Sequence, residues 1–82
     1  MIDWAFTQDI PASQKLVLLA LAYVAGPEGG GKITLERLGH FSRLNGKGCR
    51  TNLDRLASRD LVIYQIADDA VTFGIIIAER AS

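Results

Sequence analysis

The apolar residues of this chain keep one period before Asp60 and another after it, and that change constrains the fold more than any other feature. Before Asp60, Leu35 and Leu38, and then Cys49, Leu53, Leu56 and Ala57, recur at intervals of three and four. That spacing lines one face of an α-helix. After Asp60, Leu61-Val62-Ile63-Tyr64-Gln65-Ile66 and Val71-Thr72-Phe73-Gly74-Ile75-Ile76-Ile77 are rich in β-branched and aromatic residues, which favour extended backbone. Ala67-Asp68-Asp69-Ala70 is a compact connection, so the two runs are expected to pair as an antiparallel hairpin. Helices followed by a hairpin define an α+β chain.

Upstream, Ile2, Trp4 and Phe6 alternate with Asp3, Ala5 and Thr7, which reads as an extended arm over residues 1–10. Pro11 and Ser13 mark a helix start, and Gly26 and Pro27 its end, glycine by allowing a left-handed turn. Between them the apolar residues point all round the axis, as in a central buried helix. Residues 27–32 read as a flexible glycine loop. Thr34 is the next cap, opening a short helix through Phe41. A turn at Ser42-Arg43-Leu44-Asn45 precedes a third helix over residues 46–59, and the hairpin occupies 61–78.

Eighty-two residues make a single domain. The nine basic and nine acidic residues cancel, but not evenly along the chain. Residues 37–59 hold six basic residues against Asp54 alone, a local charge of +5, which leaves −5 for the remainder. Such a polarised molecule can offer one face to phosphate while the rest repels it. The single cysteine gives no disulfide framework and fits a reducing cytosol. No apolar run approaches the roughly 20 residues of a membrane span, and the first residues carry no basic start to a signal peptide. A cytoplasmic location is expected.

Two short helices joined by a tight turn, then a hairpin, follow the order of a winged helix-turn-helix. A recognition helix enters the major groove only if a second helix braces its back. Leu35 and Leu38 against Leu53 and Leu56, with Leu44 in the corner, supply that brace. The outer face then offers Lys47 and Arg50, suited to guanine edges or phosphates, and Thr51, suited to a phosphate or a thymine methyl.

Ser13-Gln14-Lys15-Leu16-Val17-Leu18-Leu19-Ala20-Leu21-Ala22 resembles the opening helix of the helix-turn-helix domains of phage, plasmid and bacterial replication and regulatory proteins. Thr34-Leu35-Glu36-Arg37-Leu38 and the stretch 53–62 continue the likeness at that family's spacing. The resemblance implies a three-helix winged helix-turn-helix with a C-terminal two-stranded wing. It also implies duplex DNA binding by the third helix through Asn45, Lys47, Arg50 and Thr51, to which Arg43 and Arg55 add basic charge. The chain departs from the family at Asn45-Gly46-Lys47-Gly48, where serine and basic residues are usual. Asp60 stands where a glycine usually precedes the hairpin, and Asp68-Asp69 form an acidic wing tip.

Other chemistries lack their parts. Gly26-Pro27-Glu28-Gly29-Gly30-Gly31-Lys32 has the spacing of a phosphate loop, but Ile33 replaces the Ser or Thr and a helix precedes it in place of a strand. His40 and Cys49 make no closed metal site, and no nucleophile has an evident base. No enzymatic activity, metal or cofactor is expected. Ile75, Ile76, Ile77 and Ala78 are apolar on both faces, which leads to the expectation of an exposed apolar strip and a homodimer through arm or wing. The alternative is a protein-interaction winged helix, such as a phage-encoded inhibitor of a host complex, docking a protein partner through that wing.

Overall fold

The computed structural model describes residues 2–76. Four helices and three strands follow the order α1 (Ile2–Phe6), α2 (Ala12–Val24), β1 (Gly30–Thr34), α3 (Leu35–Ser42), α4 (Gly46–Ser58), β2 (Val62–Ala67) and β3 (Ala70–Ile75). The strands make one antiparallel sheet with β3 in the middle. Strand β2 pairs with one edge of β3 from Val62↔Ile75 to Ala67↔Ala70, and β1 with the other from Gly30↔Gly74 to Thr34↔Ala70. The class is α+β, with a third strand where a loop was expected.

That strand is short, and its alternation is hidden behind glycines. Only Ile33 turns inward, between exposed Lys32 and Thr34. The glycines have distinct roles. Gly29, at φ 84°, supplies the left-handed turn that the sequence assigns to Gly26. Gly31 lies opposite Phe73, whose ring would come within 2.9 Å of a β-carbon placed there.

Residues 2–6 are helical, not the extended arm that the alternation of Ile2, Trp4 and Phe6 suggests. Ile2, Ala5 and Phe6 are also at helical spacing, and Ala5 is wholly buried against the core. Asp3 sits in the first turn, where a carboxylate complements the positive end of the helix dipole. So short a helix needs tertiary support. The Lys15 ammonium donates to the Phe6 carbonyl at 3.0 Å, and the Thr7 hydroxyl and Gln8 amide donate to that of Trp4.

Helix α2 begins at Ala12, with Pro11 at the cap and no side-chain capping bond. Ser13 is not the cap; its hydroxyl donates to Asn52 on α4 at 3.2 Å. Nor is α2 buried all round: Leu16 and Tyr23 are exposed while Val17, Leu18 and Leu21 are wholly buried. The core gathers these three with Leu38 of α3, Leu53 and Leu56 of α4, and Val62 and Val71 of the sheet. Phe73 and Ile75 also face it. The first residue of the apolar tail is therefore inside. Ile75 is buried, and half-buried Ile76 donates its N–H to the Leu61 carbonyl at 2.8 Å. Ile77 and Ala78 lie outside the described residues.

Candidate nucleic-acid interface

Helix α3 opens as expected, with the Thr34 hydroxyl accepting the Arg37 N–H at 3.1 Å. It closes on Arg43, whose left-handed backbone (φ 62°) lets its N–H reach the Gly39 carbonyl. Asn45 then caps α4, its side-chain oxygen accepting the Gly48 N–H at 2.7 Å. Gly48 is part of that cap. A β-carbon there would lie 3.2 Å from the Asn45 oxygen and 3.3 Å from Leu44. Gly48, which lowers helix propensity in this turn, thus lets the chain close tightly around the cap, whereas Gly46 has open space about it.

Two stripes run down α4. Cys49, Asn52, Leu53 and Leu56 are buried against α2 and α3. Lys47, Arg50, Thr51, Asp54, Arg55 and Ser58 are exposed at the complementary positions. Arg43 and Asn45 are exposed in the adjoining turn. The fold therefore brings all six residues singled out by sequence (Arg43, Asn45, Lys47, Arg50, Thr51, Arg55) to the outside of one helix and its leading turn. The support behind them is the expected one, since Leu35, Leu38, Leu53 and Leu56 are buried and Leu44 is half-buried.

Two members of the basic segment leave this face. Arg59, just past α4, donates its Nε to the buried Gln14 Oε1 at 2.9 Å and so is tied to α2. Arg37, on α3, lies over the Phe41 ring at 5.9 Å from its centroid, a cation–π distance. What stays on α4 and its turn is Arg43, Lys47, Arg50 and Arg55 against Asp54.

Sequence reasoning missed two buried polar residues that fix this helix. The Asn52 side chain donates to the Gly48 carbonyl at 2.8 Å and accepts from Ser13, joining α4 to the first turn of α2. Gln14 anchors Arg59 at the other end. A signal was present for Asn52, which falls three residues after Cys49 and four before Leu56, on the apolar stripe itself.

The turn between β2 and β3 does not stand clear of the body. The Asp69 carbonyl accepts the Leu35 N–H at 2.8 Å, which ties the turn to the start of α3. Asp68 is left-handed at φ 57°, as is Asp60 at 61° just before β2. Two exposed carboxylates, on Asp68 and Asp69, are thereby held near the positive end of α3.

Cys49 is wholly buried beside Ser42, with sulfur and hydroxyl 3.9 Å apart. Burial pushes its thiol above the ordinary value, only partly offset by that hydrogen bond. A protonated, enclosed thiol packs as a small apolar group. His40 is exposed on α3. Among the described residues no three or more of His, Cys, Asp and Glu gather as a metal site, and no helix is long and apolar enough to cross a membrane. No known family model, curated protein or solved structure matches the chain.

Proposed function

We propose that the chain is a non-enzymatic winged helix-turn-helix module that binds duplex DNA, with α4 in the major groove and the β2–β3 hairpin as the wing. One observation carries this reading. The exposed stripe of α4 holds Lys47, Arg50, Thr51 and Arg55 on a helix whose back is fixed by four buried leucines. A braced helix with a free basic face is what groove entry needs. Arg50 is suited to bidentate contact with a guanine edge, Thr51 to a thymine methyl or a phosphate, and Lys47, Arg43, Asn45 and Arg55 to the backbone on either side. A phage or plasmid regulator of transcription, or the DNA-binding part of a replication protein, is the role this module fits.

Selection against random duplex DNA, followed by titration across a salt series, tests the reading. Arg50→Ala is expected to lose about 1–3 kcal/mol on the selected site and to blunt discrimination there. Lys47→Ala is expected to weaken binding to every sequence and lower the salt slope by about one unit. Absence of binding at low salt, or dispensable Lys47 and Arg50, would sink it.

A second reading has its own support in the acidic β2–β3 turn. Asp68 and Asp69 repel a phosphate backbone that approaches α3, which favours a winged helix that docks a protein instead. Replacing both by lysine separates the two. Under the DNA reading, duplex affinity rises; under the protein reading, duplex affinity stays absent.

A further inference from the structure

The basic stripe of α4 carries one acid, and that acid stands near its middle. At about 100° per residue, Thr51, Asp54 and Ser58 fall within about 30° of the line opposite the buried Cys49, Asn52, Leu53 and Leu56. Lys47 shares that line in the first turn. Arg50 and Arg55 lie about 70° from it, one on each side. Asp54 is exposed, and among the described residues its carboxylate accepts no hydrogen bond. The Ser58 hydroxyl donates at 3.0 Å to the backbone carbonyl of Asp54 instead. A carboxylate on the outermost line of the helix thus takes no part in the hydrogen bonding of the fold.

We propose that Asp54 reads base sequence, accepting a hydrogen bond from the N4 amino group of a cytosine in the major groove. The inference rests on the DNA reading of α4. A carboxylate is repelled by phosphate, so on a helix seated in the groove its partner has to be a base edge. The only donors on major-groove edges are the exocyclic amines of cytosine and adenine. Adenine sets the N7 acceptor beside its amine, and that acceptor repels the second carboxylate oxygen. Cytosine offers its amine with no acceptor next to it on its own edge. Guanine and the O4 of thymine present acceptors, so the same group that attracts cytosine rejects them. Arg50 complements this assignment. It lies four residues before Asp54 and on the same side of the stripe, about 6 Å away along the helix, against about 3.4 Å for a base step. A guanine under Arg50 and a cytosine under Asp54 are therefore expected within about two base pairs of each other.

Titration of the full chain at fixed salt, on the duplex recovered by selection, tests this. Each cytosine of the site is replaced in turn by its deamino analogue, which lacks the N4 amine and still pairs with guanine. The parent is expected to lose about tenfold in affinity at one such position, and Asp54→Ala to be indifferent to the replacement there. Asp54→Ala should also bind unrelated duplex more tightly than the parent, because a repulsive charge is gone. Asp54→Asn, which sets a donor beside its acceptor, should move the preference at that pair from cytosine to adenine. Circular dichroism should be unchanged in both variants, since the bond from Ser58 reaches the backbone carbonyl and survives. If Asp54→Ala tightens binding to every duplex by one factor and keeps the base preferences of the parent, the carboxylate only offsets charge. That result overturns the proposal and leaves the DNA reading standing. A parent that binds no duplex at low salt overturns both.

Discussion

Gly39 and Leu44 meet twice across the turn between α3 and α4. The Leu44 N–H donates to the Gly39 carbonyl at 3.0 Å, and the Leu44 carbonyl oxygen occupies the space a β-carbon on Gly39 would fill. The obstacle is backbone, which cannot swing aside as a side-chain tip would. Because this contact sets how α4 leaves α3, it also sets where the basic stripe points.

Gly39→Ala is therefore expected to destabilise the domain by about 1–3 kcal/mol, the usual range for overpacking. Such a loss is a large share of the roughly 5–15 kcal/mol that holds a domain together. Thermal melting followed at 222 nm by circular dichroism checks it. An unchanged midpoint would mean the turn is open enough to admit the methyl.

How much of this was legible beforehand depended on whether a residue's partner was local. Leu35, Leu38, Leu53 and Leu56 declared the α3–α4 pair because each lies on a helical stripe, and Thr34 and Asn45 bond within three residues of themselves. The left-handed backbone at Asp60 had no such local signal, since aspartate is not the residue that usually marks it. Likewise, β1 contributes one inward residue, Ile33, and its evidence is a pairing with Val71 far along the chain. The helix of residues 2–6 was misread because Ile2 and Phe6 satisfy both periods, and only contact with α2 decides between them. Ile75 looked exposed from sequence because only its place in the core cluster, set by distant residues, shows that it is buried.

Cys49 links the core to pH. Burial raises its thiol above the ordinary value of 9.0, so on titration the unfolded chain ionises first. Below that value both states keep the proton and the group is neutral to stability. Above it, the unfolded state binds fewer protons than the folded one, and stability falls as pH rises. The urea midpoint of the parent is expected to decline more steeply above pH 9.0 than that of Cys49→Ala. Parallel curves for the two proteins would show that the thiol ionises as freely inside the fold as outside.

Asn45 separates capping from recognition. Asn45→Ala removes the acceptor of the Gly48 N–H and is expected to destabilise the domain by about 0.5–2 kcal/mol. Asn45→Asp keeps the acceptor and adds a charge favoured at a helix start, so its stability should match the parent. The same carboxylate would sit on the proposed DNA face, so duplex affinity should fall although the fold is intact. Denaturant titration and duplex binding on both variants read the two effects apart. Equal destabilisation by alanine and aspartate would remove Asn45 from the cap.

Arg55 and Arg59 stand one helical turn apart yet have different surroundings. Arg59 satisfies the buried Oε1 of Gln14, whereas Arg55 is exposed on the stripe with Arg50 and Thr51. Arg59→Ala leaves a buried acceptor without its donor, a loss of about 1–3 kcal/mol, with the lower end expected because Arg59 itself is partly in solvent. Arg55→Ala should change stability by no more than about 0.5 kcal/mol. Duplex binding should order the pair the other way, with Arg55→Ala the weaker binder and Arg59→Ala close to the parent wherever it is folded. Replacing both Gln14 and Arg59 by leucine should recover much of the stability, because an apolar pair leaves no polar group unsatisfied. Melting curves and salt-dependent titrations on the same four proteins decide it. If Arg59→Ala loses duplex binding while its melting temperature holds, Arg59 faces the DNA and the Gln14 anchor is not what holds the end of α4.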